Sequence, residues 1–323
     1  MTSTAAEAVG FYGYLLSTPF GFVGHICSII TFSSQTLRST STGLVFMTLT
    51  LSDMLYLFIS IRDFVSVTLN LPSIRSEHLC RFREFASNFA AFTSSWLLVL
   101  ISIDRLICTH FPYRTAKICT RKVAGCSIVA VSICSAAFTS HVLQPAVSYA
   151  NPSSNWCGPP AFPSTDYSIF YYNTWTILRL MILYIVPSCF MIVCLVSVHL
   201  KIHRRPTIIV PSVRRERVQR QMLILMISTV IWFCVSTLPY SVYQIFYLKF
   251  GDVSVLPIEI FVFYNALNMN YCYNFYIHCL TSQLFRQNFI QKLKQLYLWL
   301  KRKTRRQVAN QIYPMITNIQ PTI

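Results

Sequence analysis

The chain has 323 residues, 54% of them hydrophobic and only 11% charged, where ordinary globular proteins carry about 25% charged residues. With 15% aromatics and a mean hydropathy of +0.50, this excludes a soluble domain, a disordered chain, a collagen-like repeat and a small secreted disulfide scaffold. The net charge of +17 would suit nucleic acid by itself, but so little polar surface points to a membrane and to no nucleic-acid partner.

A bilayer core about 30 Å thick takes roughly 20 apolar residues per helix. Seven such stretches follow in chain order, at about 11–33, 43–68, 82–108, 122–145, 169–200, 219–248 and 255–280. The connections between them are short and hold the Pro, Asn, Ser and charge clusters of turns. The expected architecture is an all-α membrane protein. Residues 1–10 form an extracellular N-terminus and 11–280 a seven-transmembrane helix bundle. A short amphipathic eighth helix follows at 281–300, then a cytoplasmic tail at 301–323. In that eighth helix Phe285, Phe289, Leu293, Leu296 and Leu300 recur every three or four residues, with Lys292 and Lys294 between them. The basic run from Lys301 to Arg306 suits anionic lipid. No Lys or Arg precedes the first span, so it reads as retained and not as a cleaved signal.

Basic residues set the orientation. The connections after spans 1, 3 and 5, the span ends that flank them and the tail hold 21 of the 27 Lys and Arg. The positive-inside rule then places the N-terminus outside and the C-terminus in the cytoplasm, as expected at a plasma membrane. Of twelve cysteines, only Cys80 and Cys157 fall on the outer side, which predicts one disulfide in an oxidising compartment.

Two charges lie deep in spans: Asp53, about ten residues into the second, and Arg179, about ten residues into the fifth. An ionisable residue in hydrocarbon is costly and marks a candidate site. Arg179 is expected either to face a ligand or to pair with an acid on a neighbouring helix. Asp63, Glu84, Glu259, Tyr240, Tyr243, Gln244 and Tyr264 are expected around the same outer mouth. The sequence shows no metal-ligand cluster, nucleophile–base pair or phosphate loop, so neither an enzyme nor a cofactor is expected.

Several residues stand in a familiar order. Leu51-Ser52-Asp53 lies in the second span, and Asp104-Arg105-Leu106 closes the third with Pro112 after it. Pro187 lies in the fifth, Phe233 and Pro239 in the sixth and Asn274 in the seventh, before a run from Cys279 to Arg286. Together they resemble the rhodopsin-like (class A) G-protein-coupled receptors over the whole chain, in the form common among peptide receptors. The resemblance implies that Asp104 and Arg105 form the G-protein switch. It makes Pro187, Phe233 and Pro239 helix pivots and joins Cys80 to Cys157. Asp53, Ser94, Asn270 and Asn274 match a polar cluster around a possible sodium ion. His25 replaces a helix 1 Asn there and is expected to pair with the Asp53 carboxylate.

The departures from the family also carry information. Leu195, Thr237, Phe275 and His278 replace a helix 5 Tyr, a helix 6 Trp and the Pro and Tyr of helix 7. Ser87 stands where amine receptors keep an Asp and Asn268 where opsins keep the retinal Lys. The expected ligand is therefore a short extracellular peptide or small molecule between the outer helix halves, and the expected partners are a heterotrimeric G protein and membrane lipid. The alternatives are an atypical, weakly coupling receptor of the same fold, or a small helical transporter or channel. The latter usually shows repeats or paired broken helices, and neither is visible.

Overall fold

A computed structural model describes residues 2–68, 77–111, 115–144, 166–203, 213–250 and 257–317. Among them every regular element is helical. The first helix, α1, spans Thr2–Phe32; a single turn, α2, spans Gln35–Arg38; and α3 spans Ser41–Thr68. The long α4 spans Glu77–His110, the short α5 Thr115–Ile118, and α6 Arg121–Thr139 before a 3-10 turn at Ser140–Leu143. The fifth span is assembled from α7 (Asp166–Ile169), α8 (Thr176–Leu180) and α9 (Val186–His203), joined by π turns at Phe170–Trp175 and Met181–Ile185. Then come α10 (Val213–Phe250), α11 (Pro257–Cys272), α12 (Asn274–Thr281) and α13 (Gln283–Thr317).

Among the described residues, six segments are long and apolar enough to cross a bilayer: Gly10–Phe32, Ser41–Ile61, Glu77–His110, Arg121–Leu143, Asp166–Lys201 and Val218–Phe246. The seventh crossing is divided at Tyr273, where φ −103° and ψ 3° interrupt α11 and α12. The bundle inverts the usual distribution of polarity. Leu16, Val23, Phe58, Ile133, Val193 and Val235 are exposed, whereas Asp53, Asn88, Ser94, Asn270 and Asn274 are buried. With lipid outside, that leaves the few polar groups to satisfy one another within.

Helix α4 is the central element, packing against α3, α6 and α9; α1 packs on α3 and α11, and α10 on α11. Pro187 sits just after the second π turn. A proline ring clashes with the carbonyl four residues back, so the helix widens there. Pro239 leaves α10 unbroken. Around it Ser236, Thr237 and Ser241 donate to the carbonyls of Trp232, Phe233 and Thr237 at 2.7, 2.6 and 2.9 Å. Phe233 is fully buried beside them.

Cys80 is buried and disulfide-bonded; Cys157 lies outside the described residues. Helix α13 begins where the sequence places its amphipathic segment. Phe285 is buried against Phe32 and Phe275, while Ile290, Leu293, Leu296 and Trp299 stay exposed. Arg286 donates to the carbonyls of Cys279 and Leu280 at 2.9 and 3.1 Å, satisfying the end of α12.

Candidate functional site

At the foot of α4, Asp104 and Arg105 form a closed cluster. Arg105 donates to Asp104 Oδ2 through Nη2 at 2.6 Å and Nε at 3.1 Å. Asp104 also accepts from Ser41 at 2.9 Å and Thr42 at 2.6 Å, the two residues that open α3. Arg105 Nη1 reaches across the bundle to Gln219 Oε1 on α10, at 2.6 Å. A fork of donors held by two helices is a tie that parts when either helix moves. Ser41, Thr42 and Gln219 escape a reading of the sequence because no local spacing links them to Arg105.

Midway through the bundle, the buried Asp53 accepts from Ser94 at 2.5 Å on Oδ1 and from Asn274 Nδ2 at 2.9 Å on Oδ2. Asn270 lies beside them with its amide oxygen 3.5 Å from Ser236 Oγ. The expected pairing of His25 with Asp53 is not formed. His25 Nε2 donates instead to the Tyr271 carbonyl at 2.7 Å. The carboxylate already has two donors, while that carbonyl lies in the last turn of α11, where the helix runs out of partners.

The end of the bundle opposite Arg105 gathers around Glu84 and Arg179. Glu84 accepts from Tyr171 and from Asn88, each at 3.0 Å, and Arg83 lies 3.8 Å away. Arg179 stands on α8 between the two π turns, half-buried, within electrostatic reach of Glu84, Tyr171, Tyr184 and Tyr240. Among the described residues its guanidinium makes no direct ion pair or hydrogen bond. Tyr240 meets Tyr184 and Tyr264 edge-on at 6.2 Å, and Gln244 donates to its hydroxyl at 3.1 Å. Ser87 is half-buried one turn along α4 from Glu84. Tyr243 faces an apolar groove of about 1040 Å³ between α10 and α11, shared with the exposed Val235, Val242, Phe246 and Val262. The side chains of Asp63 and Glu259 lie outside the described residues.

Tyr171, Tyr184 and Asn88 were not anticipated from sequence. Tyr171 precedes Arg179 by eight residues, about two turns, a spacing that could have placed both on one face.

The sequence profile of the 7 transmembrane receptor (rhodopsin family) matches residues 24–301, most of the chain. The protein belongs to the rhodopsin family of seven-transmembrane receptors. Among curated proteins, the RYamide receptor of Drosophila melanogaster is 24% identical over 299 residues, covering 88% of this chain and 63% of that relative. The chain thus spans less than two thirds of the relative's length.

Three family departures now have a structural setting. Phe275 removes the helix 7 proline, yet the helix is still interrupted two residues earlier, at Tyr273. Trp232, not position 237, supplies a helix 6 indole to helix 7: its Nε1 donates to the Met269 carbonyl at 3.3 Å, and its ring meets Tyr273 edge-on at 6.3 Å. His278 is fully enclosed by Phe32, Phe46 and Phe285.

Proposed function

We propose that this receptor binds a short extracellular peptide between its outer helix halves and activates a heterotrimeric G protein at the plasma membrane. In that reading its N-terminus is outside and its C-terminus in the cytoplasm. The observation that carries the ligand side is the Arg179 guanidinium, half-buried and without a direct partner among the described residues. Such a group is costly in hydrocarbon unless an acceptor completes it, and an anionic or strongly accepting group of a ligand would do so. Glu84, Ser87, Tyr240, Gln244 and Tyr264 would frame that ligand, with Asp63, Tyr243 and Glu259 at its margins. A relative named as a receptor for RYamide supports a peptide.

At the opposite end, the Arg105 tie to Asp104 and Gln219 is suited to switching: outward movement of α10 would free the Nη1 donor for a partner. Pro187, Phe233 and Pro239 would be the pivots of that movement. Asp53, Ser94, Asn270 and Asn274 would hold a sodium ion once the Asn274 amide turned its oxygen inward, since its Nδ2 now donates to Asp53 and the Asn270 oxygen accepts from Ser236. Bound there, the ion would supply a positive charge beside the carboxylate. His25 would hold the adjoining helix through Tyr271.

The test is a G-protein dissociation panel in cells challenged with a peptide library, with Arg179→Ala and Arg105→Ala beside the parent. Arg179→Ala should abolish agonist potency and Arg105→Ala the agonist-driven signal, at unchanged surface expression. Agonist responses unaffected by Arg105→Ala would remove the switch assignment. A second reading, a weakly coupling receptor, is favoured by His278, whose ring, where the family keeps a tyrosine, has no hydrogen-bond partner among the described residues.

A further inference from the structure

Two cysteines at the foot of the bundle have no part in the reading above. Cys108 lies one turn beyond Arg105 on α4, and Cys119 lies between α5 and the capping Thr120 of α6. Their sulfurs are 2.9 Å apart. Both are half-buried, so small solutes can reach them. Arg105 Nη2 is 3.4 Å from the Cys108 sulfur, and the Cys119 thiol points at the Asp104 carbonyl at 3.8 Å. We infer that Cys108 and Cys119 are a peroxide-responsive thiol pair that oxidises to a disulfide and ties the second inner connection to the helix carrying Arg105.

The roles follow from the surroundings. A guanidinium beside a sulfur stabilises its thiolate, the nucleophilic form, which assigns the attack to Cys108. The hydrogen bond with Cys108 and then burial push the Cys119 thiol well above its usual range, so it keeps its proton until the second step. The Cys108 thiolate attacks one oxygen of hydrogen peroxide; the O–O bond breaks, Cys108 becomes a sulfenic acid, and the departing hydroxide takes up the proton that Cys108 released. The Cys119 sulfur then displaces the sulfenic hydroxyl, which leaves as water with the Cys119 proton. Two thiols lose two electrons in all, and one peroxide becomes two waters. Forming the S–S bond of about 2.05 Å needs the sulfurs to close by only about 0.9 Å. On the cytoplasmic side the resting pair is reduced, and such disulfides are transient and regulatory.

A metal is the competing use, since Asp104, Cys108 and Cys119 offer ligand atoms within 4.8 Å of one another. Asp104, however, already accepts from Ser41, Thr42 and Arg105, and a guanidinium against both the carboxylate and a sulfur repels a cation.

The siting of the pair on the cytoplasmic side rests on the receptor reading; the linkage itself does not, and it is measured without any G protein. The purified full chain in nanodiscs is treated with hydrogen peroxide, alkylated, digested and mapped by mass spectrometry. The expected result is a Cys108–Cys119 cross-linked peptide appearing before oxidation of Cys126, Cys134 or Cys189, reversed by dithiothreitol. With Cys119→Ser, a dimedone adduct should accumulate at Cys108 instead. Arg105→Ala should slow formation of the linkage roughly tenfold, in line with loss of thiolate character. The inference is overturned if the linkage is absent after other cysteines have reacted, or if stoichiometric zinc is retained and leaves both thiols unoxidised.

Discussion

The guanidinium of Arg105 donates to the side-chain oxygen of Gln219, 114 residues away, at 2.6 Å, so one hydrogen bond joins the feet of α4 and α10. A hydrogen bond from a charged donor contributes about 1.5–3 kcal/mol. Gln219→Ala should therefore raise ligand-independent signalling, by up to roughly tenfold if α10 movement limits coupling. Gln219→Glu, which turns the contact into an ion pair, should suppress it. Basal nucleotide exchange on a purified G protein reports both, and equal basal rates in the two variants would separate this contact from the switch.

The Asp53 carboxylate holds α3, α4 and α12 together through Ser94 and Asn274. Asp53→Ala leaves both donors buried without an acceptor, at roughly 1–3 kcal/mol for each. Its melting temperature in detergent should fall by several degrees, and any stabilisation of the parent by sodium chloride over choline chloride should vanish. A sodium effect retained by Asp53→Ala would place the ion elsewhere.

Arg179 separates two ligand chemistries. If it completes an accepting group, Arg179→Lys should keep part of the peptide potency because the charge survives, while Arg179→Gln should lose about tenfold or more. A buried charged contact of 2–5 kcal/mol sets that scale. Concentration–response curves at matched surface expression give the comparison. Full potency in Arg179→Gln would leave the arginine a structural role only.

Among the described residues His278 has no hydrogen-bond partner for either ring nitrogen, and it is enclosed by Phe32, Phe46 and Phe285. Replacing an unpaired polar ring with an apolar side chain of similar size should recover part of its desolvation penalty, about 1–3 kcal/mol. His278→Leu should raise the melting temperature of the purified receptor. A fall would mean that the imidazole has a partner outside the resting arrangement.

Gly43 sits where an added Cβ would collide with the Leu37 carbonyl oxygen and press on Thr40. That turn presents Ser41 and Thr42 to Asp104. Gly43→Ala should cost about 1–3 kcal/mol by overpacking and loosen the Asp104 cluster. Thermal stability and basal signalling should change together; a change in stability alone would uncouple the turn from Asp104.

How much of this could be read from the chain depended on the range of each interaction. Helices, depth and polarity come from local composition, so the spans and the intramembrane Asp53 and Arg179 stood out as expensive residues. The order of short motifs carried the family. Gln219, Tyr171 and Tyr184 were hidden because their significance lies in which helix faces them, a matter of helix rotation that spacing along one strand of sequence does not encode. His25 shows the same limit from the other side. Its neighbourhood was anticipated, but its partner is a main-chain carbonyl exposed by a helix break, and a residue pattern cannot advertise a backbone acceptor.

The interruption at Tyr273 has one further consequence. No proline occurs between residues 258 and 281, so nothing covalent compels α11 and α12 to part, and the junction is still bracketed by the Tyr273 N–H donating to the Met269 carbonyl and the Ile277 N–H to the Tyr273 carbonyl. A proline break is permanent; this one is a seam that the chain can close by regaining regular helical geometry. Closing it would rotate Asn274 relative to Asp53, so a continuous seventh helix would come at the expense of the Asn274–Asp53 hydrogen bond.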